Sequence, residues 1–174
     1  MIPFPNKKYN IIYADPAWNV KNGWSSTSRL PQNLPYPTMS LKEIGNLPLK
    51  NISEKNCKLF IWTINKYLPE TFNIIKKWGF NYSTTLLWIK KPKGYGLGGA
   101  FATNVEYLIY AKRGKVNFKI KNNTCWWHFD RSEHSKKPSF YRDLISNTFD
   151  EKDKKIELFA REKVDGWDCW GNEV

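Results

Sequence analysis

Residues 9–18 of the chain read YNIIYADPAW, and their pattern indicates the fold class. The apolar first part of this stretch, residues 9–14, predicts a buried β-strand. Asp15, Pro16, Ala17 and Trp18 follow at the carboxyl end of that strand, and open α/β sheets form their ligand crevices at such ends. An acid, a rigid turn and a large aromatic side chain make this position a candidate active site.

The chemistry that suits these residues is alkylation of an exocyclic amino group on a nucleobase. Such an amine is a poor nucleophile because its lone pair is delocalised into the ring, so an enzyme must hold both N–H bonds. The Asp15 carboxylate can accept one hydrogen and the Pro16 carbonyl the other, which directs the lone pair at an incoming methyl group. Trp18 can stack on the base. A simple turn beside a core tryptophan fits the same residues, so this motif alone leaves both interpretations open.

The rest of the chain alternates between strand-like and helix-like segments. Strands are predicted at residues 9–14, 58–63, 82–89, 105–111, 116–120 and 155–159. Helices are predicted at residues 40–47, 67–78 and 138–149, with Ser40 and Glu43 at capping-box spacing and Gly79 ending the second helix. This alternation predicts an α/β fold with three layers, α/β/α, around a mainly parallel sheet. The length of 174 residues is that of a single domain, which we expect to span residues 1–174.

Two long irregular stretches, residues 19–37 and 90–104, interrupt this alternation. The second contains GYGLGG at residues 94–99, whose glycines follow neither the phosphate-loop order nor the dinucleotide-binding order. We interpret it as a flap with Tyr95 at its tip that can close over a base. A surface loop without function fits the same residues.

The charge of the chain points to a polyanionic partner. Lys and Arg number 28 against 16 Asp and Glu, which gives a formal net charge of +12, and aromatic residues make up 16% of the sequence. Nucleic acid fits both properties, since phosphates attract the cations and bases stack on aromatic rings. A solvated basic surface with no specific partner is the alternative.

The cysteines and histidines predict no metal site. Cys57, Cys125 and Cys169 have no paired spacing, and His128 and His134 are the two histidines. The sequence therefore indicates neither a disulfide framework nor a zinc site, and a zinc base deaminase is disfavoured. No window is apolar enough for a signal-peptide core or a membrane span, so we expect a soluble cytoplasmic protein.

The last strand and the turn after it could bind a ribose. Residues 157–161 read ELFAR and residues 166–173 read GWDCWGNE. Asn172 and Glu173 could provide the adjacent donors and acceptors that paired hydroxyls require. An ion pair of Arg161 with a surface acid, beside a turn that caps the sheet, is the alternative.

Taken together, these segments resemble the adenine-N6 methyltransferases that include the catalytic subunit of the messenger-RNA adenosine methyltransferase and many bacterial and phage relatives. The matching pieces are ADPAW at 14–18, YPTM at 36–39, LFIWT at 59–63, WGF at 78–80, WIK at 88–90, HSKKP at 134–138 and the block at 157–173. They stand in family order and cover nearly the whole chain.

The resemblance implies a Rossmann-like methyltransferase fold with permuted motif order and S-adenosylmethionine as the cofactor. The implied catalytic residues are Asp15, Pro16 and Trp18. The implied cofactor-binding residues are Asp15, Lys137, Phe159, Arg161, Asn172 and Glu173. The candidate substrate-binding residues are Ala17, Trp18, Tyr36, Lys90 and Tyr95.

The family's usual Asp-Pro-Pro-Trp motif is Asp-Pro-Ala-Trp here. Ala17 relaxes the restriction that a following proline would place on Pro16, but the two acceptors remain. We therefore expect methyl transfer to the N6 amino group of adenine in nucleic acid, with DNA favoured over RNA. A catalytically weak or inactive nucleic-acid-binding partner subunit is the alternative, and a homodimer or heterodimer fits the family resemblance.

Overall fold

The computed structural model describes residues 2–19, 37–91, 100–130 and 136–174. Within these residues seven strands form one sheet. The strands are β1 (Tyr9–Ala14), β2 (Ser53–Thr63), β3 (Asn81–Ile89), β4 (Val105–Arg113), β5 (Trp126–His128), β6 (Lys155–Leu158) and β7 (Asp168–Trp170). Their order across the sheet is β5-β3-β4-β2-β1-β6-β7. The strand that precedes Asp15 therefore lies inside the sheet.

Six of the seven described strands run in one direction, and β4 runs against them. β1 pairs in parallel with β2 and β6, β6 with β7, and β3 with β5. β4 pairs antiparallel with β2 and β3. The six parallel strands thus end at one side of the sheet, which we call the carboxyl edge, and the strand order reverses at β1. Open α/β sheets bind ligands outside such an edge at the point of reversal.

The described helices are α1 (Leu41–Gly45), α2 (Leu49–Ile52), α3 (Leu68–Lys77) and α4 (Phe140–Thr148). α1 begins after the predicted capping box: the Ser40 hydroxyl accepts from the Glu43 backbone N–H, and the Glu43 carboxylate accepts from that of Ser40. After α3 the chain turns at Gly79, whose φ of 83° is favourable for glycine. These local signals explain why the two helices begin or end where they do.

The core has two layers, one on each face of the sheet, as alternation along β1 shows. Ile12 and Ala14 belong to the cluster that includes residues of α1, α2 and α3. Ile11 and Tyr13 belong to the second cluster, which includes residues of α4. Successive side chains of a strand point to opposite faces, so a strand buried on both faces is apolar throughout. The predicted α/β fold with three layers is confirmed.

The predicted strand at residues 116–120 is wrong. The backbone N–H groups of Lys119 and Ile120 donate to the carbonyl of Thr148 at the end of α4, and Phe118 is 61% exposed. The segment has apolar residues at strand spacing, but only Val116 packs against the core while Phe118 and Ile120 are exposed, so burial does not drive strand formation there. The short elements α2, β5 and β7 were not predicted, because three or four residues are too few to show a periodicity.

No helix in the described part of the chain has the length and apolar character needed to cross a membrane. The predicted order of motifs along a permuted fold stays a prediction.

Candidate active site

The carboxyl edge brings Asp15 next to the ends of β6 and β7. The Asp15 backbone N–H donates to the carbonyl of Leu158 at 3.3 Å, so β1 and β6 remain paired as far as the acid. Phe159 and Arg161 follow β6 directly, and Glu173 follows β7. Segments far apart in the sequence therefore meet where the pattern at residues 9–18 predicted a ligand crevice.

A cavity of about 250 Å³ lies at this edge of the sheet. Its lining residues are Tyr13, Asp15, Lys136, Lys137, Arg142, Glu157, Phe159, Arg161, Glu162 and Glu173. Four of them are acids, four are bases and two are aromatic. A lining of this kind suits a ligand that has charges of both signs and a ring system.

Asp15 lies in a network of alternating charges. The Lys137 ammonium is 2.7 Å from the Asp15 carboxylate and 3.4 Å from the Glu106 carboxylate. Glu106 also pairs with Lys90, whose ammonium lies 4.3 Å from the centre of the Trp88 ring. The side chains of Asp15, Lys137 and Glu106 are less than 20% exposed. Such buried charges are costly unless they are paired, so the network holds each group in a defined place.

The network also decides how these groups titrate. Burial raises the pKa of Asp15 above its ordinary value, the nearby Lys137 opposes this rise, and the negative Glu106 adds to it. Burial alone would lower the pKa of Lys137, but the two carboxylates raise it, so the ammonium stays charged. Burial also tends to raise the pKa of Glu106, but Lys137 and Lys90 together lower it more, so the net shift is downward. Asp15 is thus the carboxyl group of this network whose proton affinity is increased.

The loop after Asp15 is held by backbone hydrogen bonds. The Trp18 N–H donates to the Pro16 carbonyl at 2.7 Å, which forms a three-residue turn around Ala17. The Met39 N–H donates to the Ala17 carbonyl at 2.8 Å, and Trp18 and Met39 form an isolated bridge. The orientation of the Pro16 carbonyl is therefore defined although the second proline of the usual motif is absent.

The Trp18 side chain differs from the expectation that it stacks on a base. It is only 6% exposed, and its indole N–H donates to the Trp62 carbonyl at 3.0 Å. Its ring stacks on that of Tyr67, with the ring centres 5.4 Å apart. The indole therefore packs in the core, on the face of the sheet that α1, α2 and α3 cover, and it holds the loop after Asp15 in place.

The lining of the cavity also contains a strained residue. Phe159 has a φ of 64°, the left-handed region that few residues other than glycine adopt, and such strain is concentrated at functional sites. Its ring packs edge-on against Trp170 at 5.5 Å between centres. Close by, a Cβ on Gly171 would overlap the Ala160 carbonyl oxygen and lie 2.7 Å from the Ala160 nitrogen. Only glycine allows β7 to approach the loop after β6 this closely.

The MT-A70 family matches residues 9–173, nearly the whole chain. The chain belongs to the MT-A70 family. The predicted membership of an adenine-N6 methyltransferase family with a Rossmann-like α/β fold is thereby confirmed.

Curated relatives agree with this membership. The Type II methyltransferase M.MunI of Mycoplasma sp is 32% identical to the chain over 191 residues, which is 98% of this chain and 79% of that protein. The N(6)-adenine-specific methyltransferase METTL4 of Homo sapiens is 23% identical over 97% of this chain, and its counterpart in Mus musculus is 21% identical. The match spans 38% of the length of each METTL4 protein.

The MT-A70 chain brings five of its predicted site residues into one cavity. They are Asp15, Lys137, Phe159, Arg161 and Glu173. Arg161 and Glu173 also lie within 3.6 Å of each other, the distance between the Arg161 Nε and a carboxylate oxygen. These positions come from the ends of three strands and the start of one helix, and no local pattern relates them.

The remaining predicted residues lie elsewhere. Asn172 is exposed on the terminal turn and does not line the cavity. Lys90 is not among the lining residues and pairs with Glu106, which contacts the lining residue Lys137. Pro16 is buried and Ala17 is partly buried in the loop after Asp15. Tyr36 and Tyr95 lie outside the described residues.

No sequence pattern indicated Glu106 and Arg142 as site residues. Glu106 is a lone acid among aromatic and apolar residues of β4, and Arg142 is only 8% exposed within α4. A charged residue inside an apolar pattern is a signal that could have revealed both, since such groups are rarely buried without partners. The described residues contain no group of three or more His, Cys, Asp or Glu side chains arranged to hold a metal ion.

Proposed function

We propose that this chain transfers a methyl group from S-adenosylmethionine to the N6 amino group of adenine in DNA. The observation that carries this proposal is the position of Asp15: it lines the same cavity as Phe159, Arg161 and Glu173. The names of the relatives support the same reaction, since METTL4 is named N(6)-adenine-specific and M.MunI is named a Type II methyltransferase.

The residues of the cavity fit S-adenosylmethionine chemically. Arg161 and Glu173 offer donors and acceptors for the ribose hydroxyls, and Phe159 offers an aromatic edge. A lysine ammonium has three N–H donors, of which Lys137 uses two for Asp15 and Glu106, so the third can bind the cofactor carboxylate. When bound, the cofactor supplies a sulfonium methyl group that is already activated for transfer.

Asp15 and Pro16 would orient the amino group of the target adenine. A carboxylate can accept about four hydrogen bonds, so Asp15 can hold Lys137 and one amine hydrogen at the same time. The Pro16 carbonyl has a second lone pair besides the one that accepts the Trp18 N–H, and this lone pair can accept the other amine hydrogen. Held in this way, the amine nitrogen directs its free electron pair at the methyl carbon, and most of the rate gain comes from orientation. The nitrogen–carbon bond would form as the sulfur–carbon bond breaks, which leaves S-adenosylhomocysteine, and the methylated nitrogen would then release one proton to water.

The remaining predicted site residues have other roles in this proposal. Trp18 supports the loop, whereas Ala17, Lys90, Tyr36 and Tyr95 remain candidate substrate contacts. Asn172 remains a candidate for the cofactor ribose.

Several properties of the whole protein belong to the same proposal. The net charge of +12 favours a polyanion, and we propose DNA rather than RNA as that polyanion. We place the reaction in the cytoplasm, which suits the free and exposed thiol of Cys125. We further propose that residues 1–174 form one methyltransferase domain that acts alone or as a dimer.

The test is methylation of matched oligonucleotides. The chain is incubated with isotope-labelled S-adenosylmethionine and with duplex DNA, single-stranded DNA or RNA of the same sequence, and the digested nucleosides are analysed by mass. We expect label on the N6 nitrogen of deoxyadenosine. Calorimetry with S-adenosylmethionine on the same sample separates the alternatives. Cofactor binding without methyl transfer would favour a weak or inactive partner subunit, and no cofactor binding would refute the enzymatic assignment.

A further inference from the structure

Arg142 joins two parts of the cavity wall. Its guanidinium lies 2.9 Å from the carboxylate of Glu157 in β6 and 2.6 Å from that of Glu162 in the loop after β6. The two contacts use different nitrogens of the guanidinium, Nη1 and Nη2. The planar fork of arginine thus spans a strand and the loop that follows it, which a lysine could not do with the same geometry.

The loop between these two acids contains the strained part of the site. Phe159 and Arg161 lie between Glu157 and Glu162 in the sequence, and both line the cavity. A φ of 64° at Phe159 costs free energy and persists only when the surroundings enforce it. Ion pairs on both sides of the strained residue are well placed to enforce this conformation.

Glu162 has a second partner on the same segment as Lys137. One carboxylate oxygen of Glu162 contacts Arg142, and the other contacts the Lys136 ammonium at 3.1 Å. Lys136 precedes Lys137, which contacts Asp15 at the end of β1. Residues 136–142 therefore make two ion pairs with Glu162 in the loop after β6, through Lys136 and Arg142. They make a third with Asp15 at the end of β1, through Lys137.

We propose that Arg142 is a positioning residue that acts through Glu157 and Glu162 to hold residues 159–162 in the conformation that binds S-adenosylmethionine. This inference rests on the proposed function, because it assigns the cofactor to this cavity. Arg142 itself takes no part in the chemical step of methyl transfer. Its part is to preorganise the binding site, so its loss should weaken cofactor affinity more than it slows the reaction at saturating cofactor.

The experiment compares Glu162→Gln with the wild-type chain. Glu162 is 42% exposed, so the substitution removes charge from a site that tolerates a polar amide, and Arg142 keeps Glu157 as a partner. We expect the calorimetric Kd for S-adenosylmethionine and the KM for it to rise about tenfold, with kcat at saturating cofactor changed by less than about threefold and the KM for DNA unchanged. Arg142→Lys should move the same constants in the same direction.

The matched control is Glu151→Gln. It is also an acid-to-amide change that removes a lysine–glutamate pair, here with Lys119, and it does not touch the cavity. We expect its Kd for S-adenosylmethionine to equal that of the wild type.

An unchanged Kd in Glu162→Gln, when the wild type binds S-adenosylmethionine, would overturn the role of Arg142 and leave the proposed function intact. A lower kcat with an unchanged Kd for S-adenosylmethionine would also overturn the role of Arg142 and leave the proposed function intact. If the wild type itself binds no S-adenosylmethionine, the proposed function fails first. Glu162→Gln also keeps the test decisive if Arg142→Lys does not fold, because it leaves the buried Glu157 paired.

Discussion

Asp15 is the residue on which the proposed reaction depends most directly. It is the acid of the motif and lies on the cavity wall, and Lys137 holds its carboxylate at 2.7 Å. Asp15→Asn keeps the size of the side chain but replaces one acceptor oxygen with an NH₂ donor that opposes the adenine amine.

We therefore expect Asp15→Asn to lower kcat by about 10²-fold or more, because the amine is no longer oriented. Its Kd for S-adenosylmethionine, measured by calorimetry, should remain within a few-fold of the wild-type value. A variant that transfers methyl groups at the wild-type rate would contradict the assignment of Asp15.

A second prediction concerns the pH dependence of the reaction. The proposed acceptor is the ionised form of Asp15, so kcat/KM should fall on the acidic side as its carboxylate becomes protonated. Burial raises the pKa of this carboxyl group, and the negative charge of Glu106 raises it further. Glu106→Gln removes that charge, favours the anion of Asp15 and lowers its pKa. The acidic limb of the kcat/KM profile should therefore move to lower pH.

The measurement is kcat/KM across the acidic range for the wild type, for Glu106→Gln and for Glu151→Gln. The last variant makes the same chemical change away from the cavity and should leave the limb in place. A limb that moves to higher pH in Glu106→Gln, or does not move at all, would mean that another group controls the profile.

At the scale of elements, the approach of β7 to the loop after β6 depends on one glycine. Gly171→Ala would place a methyl group against the backbone of Ala160, and backbone atoms cannot move aside as a flexible side chain can. We expect a loss of stability of about 1–3 kcal/mol from this overpacking, measured by urea unfolding, and a higher Kd for S-adenosylmethionine because Glu173 lies only two residues further along the chain.

Gly45→Ala is the matched control for this prediction. Gly45 lies in α1, and an added Cβ would meet Ile74 at an ordinary 3.6 Å. Alanine in a helix is favoured over glycine by about 0.5–1 kcal/mol, so stability should stay the same or increase. Equal unfolding midpoints for the two variants would show that the contact with Ala160 is not limiting.

At the scale of the whole molecule, the net positive charge predicts how the chain binds DNA. With 28 basic and 16 acidic residues, the chain should bind DNA largely through phosphates and the release of counterions. We expect the logarithm of the DNA affinity to fall linearly with the logarithm of the salt concentration, with a slope of about −0.9 for each phosphate neutralised. The affinity for S-adenosylmethionine, measured over the same salt series, should change little. A DNA affinity that is independent of salt would argue against a phosphate-binding surface.

The structural features that the sequence predicted correctly depend on local patterns. The apolar run before Asp15 identified β1 and the carboxyl edge, since a buried strand needs apolar residues in succession. Ser40 and Glu43 identified the start of α1, because the capping box satisfies donors within four residues. The family resemblance added Lys137 and Phe159, which neither periodicity nor spacing could assign, whereas Arg161 and Glu173 already belonged to the segments that suggested a ribose site.

The α/β class, the acid at the end of a strand, the family and the net positive charge follow from the amino-acid sequence alone. The packing of Trp18 in the core, the place of Lys137 between Asp15 and Glu106, and the link that Arg142 makes between β6 and the loop after it became visible only in the folded chain. The difference lies in the range of the interactions. Periodicity and capping act over a few residues, whereas these ion pairs and ring contacts form between segments that are brought together by the order of strands in the sheet.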